Sequence, residues 1–171
     1  IAIVSGYILA NHVDLGGLWM IPVLATVLLY LYALDLKKSP VIGNVLISLL
    51  TALPVFLVGV FDLLPVANAD NAALIKQVFE VVMAYSVFAF WINLIREIVK
   101  DAEDVKGDAR QGFQTLAIIM GAGKVRIVIF ILALILFAFT AYVNYTLYPG
   151  DLISTLYVAL FVNLPLLYFF I

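Results

Sequence analysis

The sequence predicts an all-α protein, a polytopic bundle of transmembrane helices, and two observations carry that expectation. Of its 171 residues 66% are hydrophobic and only 12% charged, with a mean hydropathy of +1.19, far beyond the share of a soluble domain. The apolar residues also fall into long runs separated by short polar stretches, and a helix needs about 20 such residues to cross a bilayer. Within lipid every backbone polar group must be satisfied internally, which makes helices the natural form of these runs.

The first run, Ile1 to Ala10, is about half a span in length. Five more follow, at about Leu18 to Leu34, Val41 to Phe61, Val78 to Ile95, Val125 to Leu147 and Leu152 to Ile171, each long enough or nearly so to cross. The chain opens on Ile rather than Met and stops inside an apolar run. The expectation is one transmembrane domain over 1–171, truncated at both ends and holding about six spans. Pro22, Pro54 and Pro165 fall inside runs, where proline frees a carbonyl and bends the helix. Trp19, Tyr30, Tyr145 and Tyr148 lie near span ends, the usual place for interfacial aromatics. Tyr32 shares that setting but is held partly in reserve for the chemistry.

The polar connections are Asn11 to Gly17, Asp35 to Pro40, Asp62 to Gln77, Arg96 to Lys124 and Tyr148 to Asp151. Alternating sides puts Lys37, Lys38, Arg96, Lys100, Lys106, Arg110, Lys124 and Arg126 together and leaves only Lys76 opposite. The positive-inside rule makes the basic side cytoplasmic. An integral, multi-pass protein of a bacterial or archaeal cytoplasmic membrane is therefore expected, with the lipid bilayer as its first partner and no nucleic acid.

Composition also excludes chemistry. With no cysteine the chain has no disulfide, thiolate metal site or cysteine nucleophile, and a single histidine, His12, cannot build a haem or zinc cluster. What remains is concentrated in Arg96-Glu-Ile-Val-Lys-Asp-Ala-Glu-Asp-Val-Lys-Gly-Asp108, a dense charged stretch that directly continues an apolar span. Read as a helix, Glu97, Asp101, Asp104 and Asp108 fall at i, i+4, i+7 and i+11, so four carboxylates share one face. Like charges at that spacing repel, and a cation would relieve them. Oxygen-only ligands select a hard ion such as Mg²⁺, which binds through a few carboxylates plus substrate phosphates. Arg96 and Lys100, four apart, stand ready for the phosphate.

Beyond the acids, Gly107 and Gly112 should end or loosen the helix, and Thr115 could cap a short segment from Leu116 to Met120 before Gly121 and Gly123 break the chain again. Gly121-Ala-Gly-Lys124 is not a phosphate loop, because Ile118 stands where its first glycine belongs and Val125 where Ser or Thr is required. Tyr32-Ala-Leu-Asp-Leu-Lys-Lys-Ser-Pro40, followed by Gly43-Asn44, brings Lys37 to the same side as the acids and within reach of an anionic ligand. Asn44 and Asn93 are polar groups in apolar spans; they either bond between helices or line a cavity.

These residues resemble a known family. Leu34 to Asn44, Arg96 to Asp108 and Gly112-Phe-Gln-Thr-Leu-Ala-Ile-Ile-Met-Gly121 are similar to the UbiA-type intramembrane prenyltransferases, and the acid loop looks most like the branch that includes digeranylgeranylglyceryl phosphate synthase. The resemblance implies a bundle of about nine transmembrane helices around a central cavity, in which two aspartate-rich motifs hold Mg²⁺ on a prenyl diphosphate. It places Asp101, Asp104 and Asp108 on the second such motif as metal ligands and catalytic residues, with Lys37, Arg96 and Lys100 on basic positions that bind the diphosphate. The first motif, Asn-x-x-x-Asp-x-x-x-Asp, has no counterpart in these residues and would precede Ile1. The implied reaction is Mg²⁺-dependent transfer of a prenyl group from an isoprenyl diphosphate donor to a membrane-associated acceptor. A prenylglyceryl phosphate lipid is favoured, with an aromatic quinone precursor as the alternative.

Two readings from other classes compete. A transporter or structural subunit would place charges at membrane depth, whereas here they lie almost wholly in the connections. Asp108-Ala-Arg110 hints at a phosphatidyl-alcohol transferase, but that signature needs a further pair of aspartates shortly downstream and the next acid is Asp151.

Overall fold

A computed structural model of the chain describes residues 2–167, and all regular structure over them is helical. In order these are α1 (Ala2–His12), a 3₁₀ turn (Gly16–Trp19), α2 (Met20–Leu34), a second 3₁₀ turn (Leu36–Lys38), α3 (Ile42–Leu63) and α4 (Ala72–Glu103). Two short helices, α5 (Val105–Arg110) and α6 (Leu116–Met120), precede α7 (Ala122–Leu147). After it, α8 (Leu152–Tyr157) widens into a π-helical turn (Val158–Asn163) and tightens again as α9 (Leu164–Leu167).

Four helical segments are long and apolar enough to cross a membrane: Gly16–Leu34, Ile42–Leu63, Ala72–Glu103 and Ala122–Leu147, with a shorter apolar helix at Leu152–Leu166. Integral membrane character follows. Of the six expected runs, the first begins on Ile1 and the last ends at Ile171, so those end residues lie outside the described ones; α1 has 11 residues. The third expected connection is shorter than hydropathy suggested. Lys76 and Glu80, an i,i+4 pair 3.8 Å apart, sit inside α4, which starts at Ala72. Gly123 and Lys124 likewise belong to α7, and only Gly121, at φ +78, breaks the chain before it.

Lipid offers helices no hydrophobic reason to associate, so close packing must hold them, and small residues permit it. The α3–α4 pair shows this: Ala52 and Gly59 on α3 and Ser86 on α4 are buried. A Cβ on Gly59 would lie 2.8 Å from Val82 Cγ1, closer than any side chain tolerates. α4 turns another face to α7, where Ile95, Ala133 and Leu136 are 1% exposed or less. Near the same end Leu94, Ile98, Ala117 and Val125 join α4, α6 and α7. The outward surface is apolar, with Leu24, Leu49, Val58 and Ile127 all exposed, as lipid-facing positions should be.

At the far end the α3–α4 connection is closed by Asn68 and Asn71, whose side chains bond the turn's own amides. Asp151 caps α8 by accepting from the Ile153 and Ser154 amides. The Ser154 hydroxyl also donates to it at 2.6 Å, and these bonds hold the carboxyl below the ordinary carboxylate value.

Candidate active site

α4 carries the acids out of the apolar layer, but not as one unbroken ladder. The helix ends at Glu103, and Asp104, at φ −92 and ψ 9, is both the last cap of α4 and the first of α5. Aspartate competes for nearby backbone groups and so favours such junctions. The expected single face of four acids is therefore split, with Glu97 and Asp101 on α4, Asp104 at the joint and Asp108 in α5. Asp104 remakes the helix at once, its carbonyl accepting from Gly107 at 2.8 Å and Asp108 at 3.0 Å.

Gly112 then stops α5. Its φ of +72 lets Phe113 N bond Asp108 O at 3.0 Å and Gly112 N bond Ala109 O at 3.2 Å, the paired contacts of a left-handed helix terminus. The chain doubles back, and Gln114 N donates to Lys38 O at 3.1 Å. The acid segment and the lysine turn thus meet at one end of the bundle, as the alternation of spans requires. Gly43 makes the lysine turn possible: a Cβ there would lie 2.5 Å from Leu36 O.

Together these segments enclose a polar cavity of about 50 Å³. α4 and α5 supply Glu97, Lys100, Asp101, Asp104 and Asp108; the earlier chain supplies Tyr32, Lys37 and Asn44; the returning strand of chain supplies Phe113 and Thr115. Asp101 is fixed from α3, where Asn44 Nδ2 donates to its Oδ2 at 2.8 Å. Behind Asn44 runs a polar chain, buried as far as Asn93: Ser48 Oγ donates to Asn44 O at 2.6 Å, Asn93 Nδ2 to Ser48 Oγ at 3.3 Å, and the exposed Arg96 Nη1 to Asn93 Oδ1 at 3.4 Å.

Glu97 is buried and flanked by Lys100 Nζ at 3.6 Å and Arg96 Nη1 at 3.7 Å. Those cations are largely exposed, so each pair adds little stability by itself. Lys37 Nζ stands 5.3 Å from the Phe113 ring centroid, a cation–π distance. Thr115 Oγ1 is buried and has no partner, a situation that costs about 1–3 kcal/mol until something meets it.

Of the eight residues singled out by sequence, six line this cavity: Lys37, Asn44, Lys100, Asp101, Asp104 and Asp108. Arg96 and Asn93 do not; they stand behind it in the polar chain. Asn44 does both of the things its sequence setting allowed. Glu97 was visible in the acid register, and Thr115 in the Gly-x-x-Thr-Leu stretch, whereas nothing in the sequence signalled Phe113.

No three carboxylates among the described residues converge into a ready coordination sphere. The acids that line the cavity nevertheless offer only oxygen donors, the kind that suits a hard cation. A space of about 50 Å³ has room for a few water-sized groups.

Compared with known families, the chain matches the UbiA prenyltransferase family over residues 1–171. It is 43% identical over 103 residues to a digeranylgeranylglyceryl phosphate synthase of Methanopyrus kandleri, covering 60% of this chain and 33% of that protein. The namesake from Methanosphaera stadtmanae is 31% identical over 162 residues, 95% of this chain and 51% of its own length. That of Sulfurisphaera tokodaii is 33% identical over 127 residues, 74% and 41% of the two. The chain therefore spans about half, or less, of the length of these curated relatives. No solved structure matches it.

Proposed function

The chain belongs to the UbiA prenyltransferase family, and on that premise we propose that it is part of a Mg²⁺-dependent enzyme moving a prenyl group from an isoprenyl diphosphate to a prenylglyceryl phosphate. Residues 1–171 form one transmembrane domain of that enzyme, with the acid cavity at the cytoplasmic face. One observation carries the reading: two separate segments of an otherwise apolar chain bring Asp101, Asp104, Asp108, Lys37 and Lys100 to a single cavity.

Each residue then has a role set by its place. Asp101, Asp104 and Asp108 would hold Mg²⁺, which supplies charge neutralisation at the leaving diphosphate when bound. Lys37 and Lys100 bind the diphosphate at the cavity mouth and stabilise the negative charge that grows as the allylic C–O bond ionises. Asn44 orients Asp101 through its 2.8 Å bond. Arg96 and Asn93 support that orientation from behind, and Arg96 adds positive charge beside Glu97. The apolar helices exclude water, so the allylic cation is captured by the acceptor's oxygen rather than hydrolysed. No protein nucleophile is needed.

The acceptor assignment takes its support from the names of the relatives. Incubation of the full-length protein with Mg²⁺, geranylgeranyl diphosphate and either geranylgeranylglyceryl phosphate or an aromatic quinone precursor tests it by product mass. Prenylation of the glyceryl phosphate is expected. Product from the aromatic acceptor alone would overturn the lipid assignment, and no product from either would overturn prenyl transfer.

A further inference from the structure

We propose that the Thr115 hydroxyl is a hydrogen-bond donor to the pyrophosphate head of the ligand held at the acid cavity, a binding contact distinct from the charged side chains. The inference rests on the diphosphate reading above and deepens it.

Thr115 is 3% exposed, and its Oγ1 is buried without a partner. It occupies the N-cap position of α6, at φ −67 and ψ 160, where a threonine hydroxyl ordinarily accepts a bond from an amide two or three residues on. Here it makes no such bond: the Ile118 and Ile119 amides both go to the Thr115 carbonyl, each at 3.1 Å. The hydroxyl is therefore released from local structure, in a residue that lines the cavity.

Its surroundings point to the missing partner. The carboxylates of the cavity are acceptors, yet none takes the Thr115 proton. The Asn44 amide is already engaged by Asp101. Lys37 and Lys100 attract an anion as point charges on flexible stems, with no fixed direction. Thr115 by contrast is held by burial and by the Gln114–Lys38 backbone bond that ties its segment to the lysine turn. A neutral, immobile donor beside mobile cations gives an incoming phosphate oxygen a set orientation.

The test is titration of the full-length protein with inorganic pyrophosphate in the presence of Mg²⁺, using wild type, Thr115→Val and Thr115→Ser, together with thermal unfolding of each without ligand. Valine keeps the shape and removes the hydroxyl; binding should weaken about tenfold, while serine stays within about twofold of wild type. The ligand-free valine variant should unfold at or above the wild-type temperature, because it no longer buries an unsatisfied group. Unchanged pyrophosphate binding in the valine variant would overturn the proposal. So would weaker binding accompanied by early unfolding in both variants, or no binding by the wild type. A protein that shows the expected split between valine and serine but forms no prenylated product would leave this contact standing and remove the prenyl-transfer reading instead.

Discussion

Replacing Gly43 by alanine probes how the lysine turn is held. A Cβ at this position would sit 2.5 Å from Leu36 O, 3.3 Å from Leu36 C and 3.4 Å from Lys37 Cα, all backbone atoms that no rotamer change can move aside. To reach ordinary contact, near 3.4 Å, the Leu36 carbonyl or the start of α3 must recede by about 0.9 Å. Overpacking of this kind costs about 1–3 kcal/mol. The same displacement moves the Lys37 turn, and a shift of about 1 Å at a positioning residue can cost on the order of a hundredfold in rate. Thermal unfolding and Mg²⁺-dependent consumption of geranylgeranyl diphosphate by the full-length protein should both fall. Gly59→Ala is the control, since its Cβ would meet the Val82 side chain on the α3–α4 interface, away from the site. It should lose stability with little change in the KM for the diphosphate. Wild-type stability and turnover in Gly43→Ala would refute the claim that close backbone approach sets the lysine turn.

Asp101→Asn, Asp104→Asn and Asp108→Asn should each reduce Mg²⁺-dependent turnover, on the order of a hundredfold, with membrane insertion intact; wild-type rates in all three would remove the metal site. Lys37→Ala and Lys100→Ala should weaken diphosphate binding by about 10- to 100-fold, the equivalent of roughly 1.5–3 kcal/mol. Arg96→Ala should do less, because its guanidinium faces Asn93 and Glu97; equal losses in all three would contradict that placement. Single cysteines at Ser39 and Ala109 should react with a membrane-impermeant reagent from the cytoplasmic side and one at Asn68 only from the other. The chain has no native cysteine to interfere, and labelling of positions 39 and 68 from one side would overturn the topology.

Hydropathy located the long helices because burial in lipid leaves a signal in every residue: Val78 to Ile95 and Val125 to Leu147 lie within helices long enough to cross, and Val41 to Phe61 does so from Ile42 on. It misjudged their ends, since backbone hydrogen bonding carries α4 through Arg96 and Lys100 to Glu103 regardless of charge. The break at Asp104 was beyond periodicity, which treats the acid stretch as uniform. Six of the cavity's residues were legible as charges or amides with nothing else to do in an apolar chain. Phe113 was not, because it reaches the site only through the reversal at Gly112; Thr115 was legible as a helix cap, and the packing of α6 on α4 brings it to the cavity as well. Arg96 and Asn93 read as ligand contacts by type, and tertiary position sets them one layer back.

The bond between Asn44 and Asp101 joins residues 57 positions apart, and that separation bears on how the protein enters its membrane. Helices emerge from the ribosome in order, so α3 is complete well before the residues that satisfy it exist. Ser48 can turn to the carbonyl of Asn44 within its own helix, but the Asn44 amide finds its acceptor only on α4. Until then a lone α3 carries that amide in its first turn, where only water or lipid headgroups can serve it. The polar contact between the two helices at this end thus becomes available only once Asp101 has been made, and it is already part of the site.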